Sequence, residues 1–189
     1  MQYWVHQLSL VGDHPIAGMR ESAGNAIPEL TLPIFIAMVD SISYLKIAAG
    51  LLFHRIKQRP LMFLAFKFRG LDGLPKTLAL VDLMAKSRDA MHAHLDELES
   101  TFAASTGPWI LGAQFTLAEV VMMVNLERLA EVDWQDVFLT EHRANVSAYW
   151  TALKARPSYT KAIIGAFEHP AVAAGLARIV TEKNPSCFS

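Results

Sequence analysis

The six residues FTLAEV at 115–120 constrain this chain more than any other stretch. Thr116 is followed at the third position by Glu119, the spacing of a capping box. There a threonine hydroxyl accepts the amide of the third helical residue while the carboxylate reaches back to the threonine's own amide. Phe115 before the cap and Val120 at the fourth helical position are placed to close a hydrophobic staple over the entry turn. The helix that follows, LAEVVMMVNLERLAEV, is apolar on nearly every side until Glu127. Such a helix is buried among other helices rather than laid on a surface, so the other segments must wrap around it. The expectation is an all-α fold, a helical bundle around a buried central helix at 117–131.

The rest of the chain fits that plan. Apolar residues fall at helical spacing, and strand-like alternation bounded by turn residues is nearly absent. Residues 2–10 read as a short helix and residues 11–30, with their glycines and Pro15, as an extended loop. A long core helix is expected from Thr31, an N-cap candidate with Pro33 in the first turn, as far as Pro60. A short helix or connector at 61–69 follows. Leu74, Leu78, Val81, Met84, Met91, Leu95, Leu98 and Phe102 then mark one stripe of an amphipathic helix at 75–103, with Asp82, Lys86, Asp89, Asp96 and Glu99 off it. Two closing helices are expected at 143–155 and 158–168, with Arg156-Pro157-Ser158 as the corner and Ser158 as the second cap. The segment AVAAGLARIVTEK reads as a last amphipathic piece.

Composition narrows the function classes. Seventeen basic against eighteen acidic residues leave a net charge of −1, so no global field favours nucleic acid as a partner. The single Cys187 permits no internal disulfide, and MQYWVHQLSL lacks the features of a signal peptide. A cytoplasmic location is the expectation. The run from Leu32 to Phe53 is long enough to span a bilayer, but Asp40 and Lys46 lie inside it and each is costly there. A buried helix is the better reading, and a membrane is not an expected partner.

No metal site is expected. His92 and Asp96 have the i, i+4 geometry of two ligands, yet two ligands do not make a site. They read as a solvated helix face, where removing His92 should change almost nothing. The basic residues from Arg55 to Lys76, set against Asp72 alone, read as solubilising charge at a helix end, with attraction of an anionic ligand, a partner or a lipid surface as the alternative. Asn125, polar inside the apolar helix, must be hydrogen-bonded if buried.

GPWILGAQFTLAEV at 107–120 resembles the loop, capping box and staple leading into the central helix of the C-terminal domain of the glutathione transferases. NVSAYWTALKARPSY at 145–159 is similar to that family's closing segment, and the resemblance covers residues 75–165. MQYWV is similar to the start of the domain's first helix, and the region after it looks like the branch holding bacterial reductive dehalogenases and ganglioside-induced differentiation proteins. Glu119 stands where the family more often has Asp, and Ala144 where Pro commonly precedes the Asn.

The resemblance implies a domain at 1–170, with divergent first helices and loop at 1–74 and a well-matched core at 75–168, followed by a C-terminal helix and tail at 171–189. It implies a substrate-binding domain for a small apolar electrophile, acted on by thiol conjugation or reductive dehalogenation in the complete protein. Trp4, His6 and Gln7 are the substrate-binding candidates carried over by position. Glutathione enters as cofactor only with a thioredoxin-like domain, whose βαβ pattern this sequence does not show, so no catalytic residue is expected in the chain. A homodimer is compatible with the family. The alternatives are a stand-alone helical interaction module without catalysis and a membrane-associated helical protein.

Overall fold

A computed structural model of the chain describes residues 2–8, 39–55, 58–69 and 78–164. All regular secondary structure among these residues is helical. The helices are α1 (Gln2–Leu8), α2 (Tyr44–Phe53), α3 (Gln58–Arg69), α4 (Leu78–Ala104), α5 (Leu117–Glu131), α6 (Gln135–Phe138), α7 (Ala144–Lys154) and α8 (Pro157–Tyr159), which runs on as a π-helical turn, Thr160–Ile164. The chain divides into two compact units, one formed by Met1–Thr31 with Leu83–Phe167 and one by Leu32–Asp82 with Glu168–Ser189.

The core of the first unit is written in one spacing used three times. Met91, Leu95 and Leu98 on α4, Met122, Leu126 and Leu129 on α5, and Val146, Trp150 and Leu153 on α7 stand at i, i+4 and i+7, and all are buried. Residues so spaced lie on one helix face, and burying each aliphatic side chain is worth about 1.5–3 kcal/mol. Both α1 and α7 pack against α5. The Tyr159 hydroxyl closes the far end by donating to Glu127 at 2.5 Å. Burial, with that carboxylate second, raises the phenol well above its ordinary range.

The central helix is not buried all round. Ala118, Met122, Met123, Asn125, Leu126 and Leu129 face the core, whereas Leu117, Val120 and Val124 form an exposed stripe at i, i+3 and i+7.

In the second unit α2 and α3 pack together. The long helix expected from 31 to 60 is broken there. Residues 39–41 are helical, the backbone bends at Ile42, and Ser43 caps a new helix by accepting the Lys46 amide at 3.3 Å. That helix ends at His54, and Ile47 is its buried residue. The competing signal was the polar cluster Asp40-Ser41-Ile42-Ser43, which offers the backbone a side-chain cap in place of a continued helix. The short helix expected at 61–69 is longer, starting at Gln58. At the closing corner Pro157 takes the first helical turn with Arg156 as the N-cap residue, so Ser158 is inside the helix and does not cap it. Thr31, Pro33, the 11–30 loop, Leu74, Pro75, residues 165–168, the AVAAGLARIVTEK segment and Cys187 lie outside the described residues.

Candidate functional site

The approach to the central helix is built from its sequence neighbours. In the loop before it, Trp109 and Gly112 exchange two backbone hydrogen bonds, of 3.1 and 2.9 Å, around a turn in which Gly112 adopts φ +95°. That conformation is strained for any residue with a Cβ. Gly107 is fixed by close approach instead, since a Cβ there would stand 2.2 Å from the Gly112 carbonyl carbon.

The capping box is present. The Thr116 hydroxyl accepts from first-turn amides, that of Ala118 at 3.2 Å, and donates to Glu119 Oε2 at 2.6 Å. Glu119 Oε2 accepts the Thr116 amide at 2.5 Å. Glu119 Oε1 accepts the amide of Ile110 at 2.9 Å, a bond the capping-box spacing did not predict. Fully buried, the carboxylate thus ties loop, cap and helix together. Phe115 meets Trp109 edge-on with centroids 5.2 Å apart, and the Arg156 guanidinium sits 3.8 Å over its ring. Val120 is left exposed, so it adds little burial to a staple, and the entry turn is covered chiefly by this aromatic and cationic stack.

The Trp4 indole is only 6% exposed, on the helix that packs against α5. Tyr3 beside it donates to Glu97 on α4 at 2.9 Å. That hydrogen bond, ahead of burial, raises the Tyr3 phenol above its usual value. His6 and Gln7 lie on the same helix, but their side chains lie outside the described residues. The structure therefore buries Trp4 on the helix that packs against the central one.

Three arrangements escaped the sequence reading. Arg143, expected only as part of a helix start, is buried and is the hub of the first. Its guanidinium donates to Asp96 Oδ1 at 2.7 Å through Nε, to the Phe138 carbonyl at 2.7 Å, and to the His92 carbonyl at 3.3 Å, and it contacts His92 Nδ1 at 3.0 Å. His92 also stacks on Phe138 with centroids 4.8 Å apart. Asp96 is solvated as expected, its side chain 66% exposed, but His92 is half-buried, and the reading is corrected in that both side chains hold Arg143. Burial first, then the Arg143 charge, lowers the His92 pKa.

In the second arrangement, Glu99 caps α7 from another helix. Its Oε1 accepts the Asn145 amide and side chain at 3.1 and 2.8 Å, and its Oε2 accepts the Val146 amide at 2.9 Å. The α7 N-cap residue, Arg143, makes no side-chain cap of its own, so the carboxylate from α4 meets the orphan amides.

The third is a set of buried polar atoms. Asn125 Nδ2 and the Tyr149 hydroxyl have no hydrogen-bond partner among the described residues, so the amide nitrogen of Asn125 does not meet the expectation that this buried side chain is hydrogen-bonded. Burial, with Glu119 second, drives the Tyr149 phenol strongly upward, so it stays neutral at any physiological pH. No group of three or more metal-ligating side chains occurs among the described residues.

Comparison with known proteins falls on this same unit. The family model described as the glutathione S-transferase C-terminal domain matches residues 81–152. The chain is 31% identical over 80 residues to glutathione S-transferase TCHQD of Arabidopsis thaliana, covering 42% of this chain and 29% of that protein. It is 38% identical over 78 residues to a 2,5-dichlorohydroquinone reductive dechlorinase of Sphingobium indicum, covering 39% of this chain and 22% of that enzyme. The matched part of the chain thus spans less than a third of either relative. No solved structure matches.

Proposed function

We propose that the domain whose residues 81–152 match the glutathione S-transferase C-terminal domain binds the substrate of a glutathione-transferase-like protein. The substrate class is a small, largely apolar electrophile. In the complete protein, glutathione held by a thioredoxin-like domain would attack it. In conjugation the thiolate sulfur forms a C–S bond as the leaving group departs with its electron pair; in reductive dehalogenation, suggested by the relative named as a dichlorohydroquinone dechlorinase, a second thiol attacks that sulfur to form a disulfide, and the carbon keeps the C–S electron pair and takes up a proton. The chain's own part is to bind and orient, and no catalytic residue is assigned to it.

The observation that supports this reading is the packing of α1 on the capped central helix, because the family resemblance puts the substrate between this pair of segments and the thioredoxin-like domain. In this reading Trp4 backs the site, and the resemblance offers His6 and Gln7 as its polar residues. The exposed Leu117 and Val120 on the first turn of α5 supply apolar surface on the same helix pair, as a pocket for an apolar ligand requires.

Tryptophan fluorescence tests the reading, with 2,5-dichlorohydroquinone as the probe. A saturable change that Trp4→Phe removes is the expected result. No saturable change, or one that Trp4→Phe leaves intact, would overturn the assignment of the site.

A further inference from the structure

The exposed side of the α2 and α3 pair is apolar in a pattern that isolated surface residues do not make. On α2, Ile47 faces inward, while Leu45, Ala48, Ala49 and Leu52 recur at i, i+3, i+4 and i+7 on the exposed side and Phe53 extends it. Leu45 is 80% exposed and Phe53 84%. Scattered exposed hydrophobic residues need no explanation, but a contiguous stripe does, because that spacing normally marks the face a helix buries. On α3, Leu61, Ala65 and Phe68 form a second exposed stripe at i, i+4 and i+7.

The two helices run antiparallel. Tyr44 at the start of α2 meets Phe68 near the end of α3 with centroids 5.8 Å apart, and Gly50 lies against Pro60, which a Cβ at position 50 would touch at 3.4 Å.

Charge says what the stripes face. From residue 44 to 69 the sequence holds Lys46, Arg55, Lys57, Arg59, Lys67 and Arg69 and no acidic residue. Lys46 and Arg55 are exposed, while Lys67 is held over the Tyr44 ring, 4.9 Å from its centroid. A second apolar protein face would satisfy the stripes but offer no counter-charge to the exposed Lys46 and Arg55. A bilayer carrying anionic lipids satisfies both, since leucine and phenylalanine enter the headgroup boundary while lysine and arginine stay among the phosphates.

We propose that the α2–α3 hairpin docks in the plane of an anionic lipid surface. Leu45, Phe53, Leu61 and Phe68 enter the boundary, and Lys46 and Arg55 lie at headgroup level. This is surface docking, not a span: no helix among the described residues is long and apolar enough to cross a membrane. The inference is independent of the substrate reading, because these helices belong to the other compact unit.

The test is flotation of the full chain with vesicles of phosphatidylcholine alone and of phosphatidylcholine mixed with phosphatidylserine, at low and high salt. The expected result is partition about tenfold stronger onto the anionic vesicles and weakened by salt. The double variants Leu45→Gln/Phe53→Gln and Lys46→Gln/Arg55→Gln should each reduce it about tenfold. Both pairs are exposed, so helicity by circular dichroism should be unchanged. Absent partition, equal partition onto both vesicle types, or partition unmoved by both variants would overturn the proposal. Self-association in lipid-free buffer that Leu45→Gln/Phe53→Gln abolishes, without vesicle binding, would assign the face to a second copy of the chain and overturn it as well.

Discussion

The carboxylate of Glu119 accepts the amide of Ile110 at 2.9 Å through one oxygen and serves the cap at Thr116 through the other. The bond to Ile110 makes the capping box a tertiary device. It anchors the Gly107–Phe115 loop to the helix that the loop introduces, and it does so in a site closed to water.

Substitutions at these two positions should therefore differ in kind. Thr116→Ala loses a cap and should cost about 0.5–2 kcal/mol. Glu119→Ala leaves the buried Ile110 amide without its acceptor and should cost more, about 2–4 kcal/mol with the cap included. Urea unfolding measures both; equal stability of Thr116→Ala and the parent would contradict the role given to the cap.

Glu99→Ala removes the acceptor for the Asn145 and Val146 amides at the start of α7. The expected loss is about 1–2 kcal/mol, that of a good N-cap. Hydrogen exchange should show it first as faster exchange of those two amides.

The Arg143 cluster gives a pH dependence. His92 is harder to protonate in the folded chain, through burial and then the Arg143 charge. As pH falls below the ordinary histidine range near about 6.5, the unfolded chain takes up that proton first, so acid favours unfolding until the lowered folded pKa is passed. The stabilising contribution is thus present above the unfolded pKa and lost on acidification. His92→Gln should flatten the slope of stability below about pH 6.5, measured as unfolding midpoint against pH. An unchanged slope would remove His92 from the account.

Much of the fold was legible because its signals are local. The Thr116–Glu119 spacing announced the central helix, and the i, i+4, i+7 recurrence of Met91, Leu95 and Leu98 announced a buried face, since both read directly from helical geometry. The contacts that escaped join distant positions: Arg143 to Asp96 and His92, Glu99 to Val146, and Trp109 to Arg156. Nothing in a carboxylate's own neighbourhood says that it will cap another helix. The break at Ile42 is hidden for the opposite reason: the apolar run reads as continuous, and the Ser43 cap that interrupts it is one polar residue within it. At the candidate site the sequence supplied Trp4 through the resemblance, and its 6% exposure shows an indole already engaged in packing.

Because Trp4 is buried on α1, the helix that packs against the central one, ligand-induced amide shifts are the most direct measure of whether this helix pair forms a substrate site. In a titration of the chain with 2,5-dichlorohydroquinone followed by nuclear magnetic resonance, the account predicts saturable shifts at residues 4–7, the Trp4 indole and residues 117–121. Shifts confined to other segments, or none at saturating probe, would contradict it.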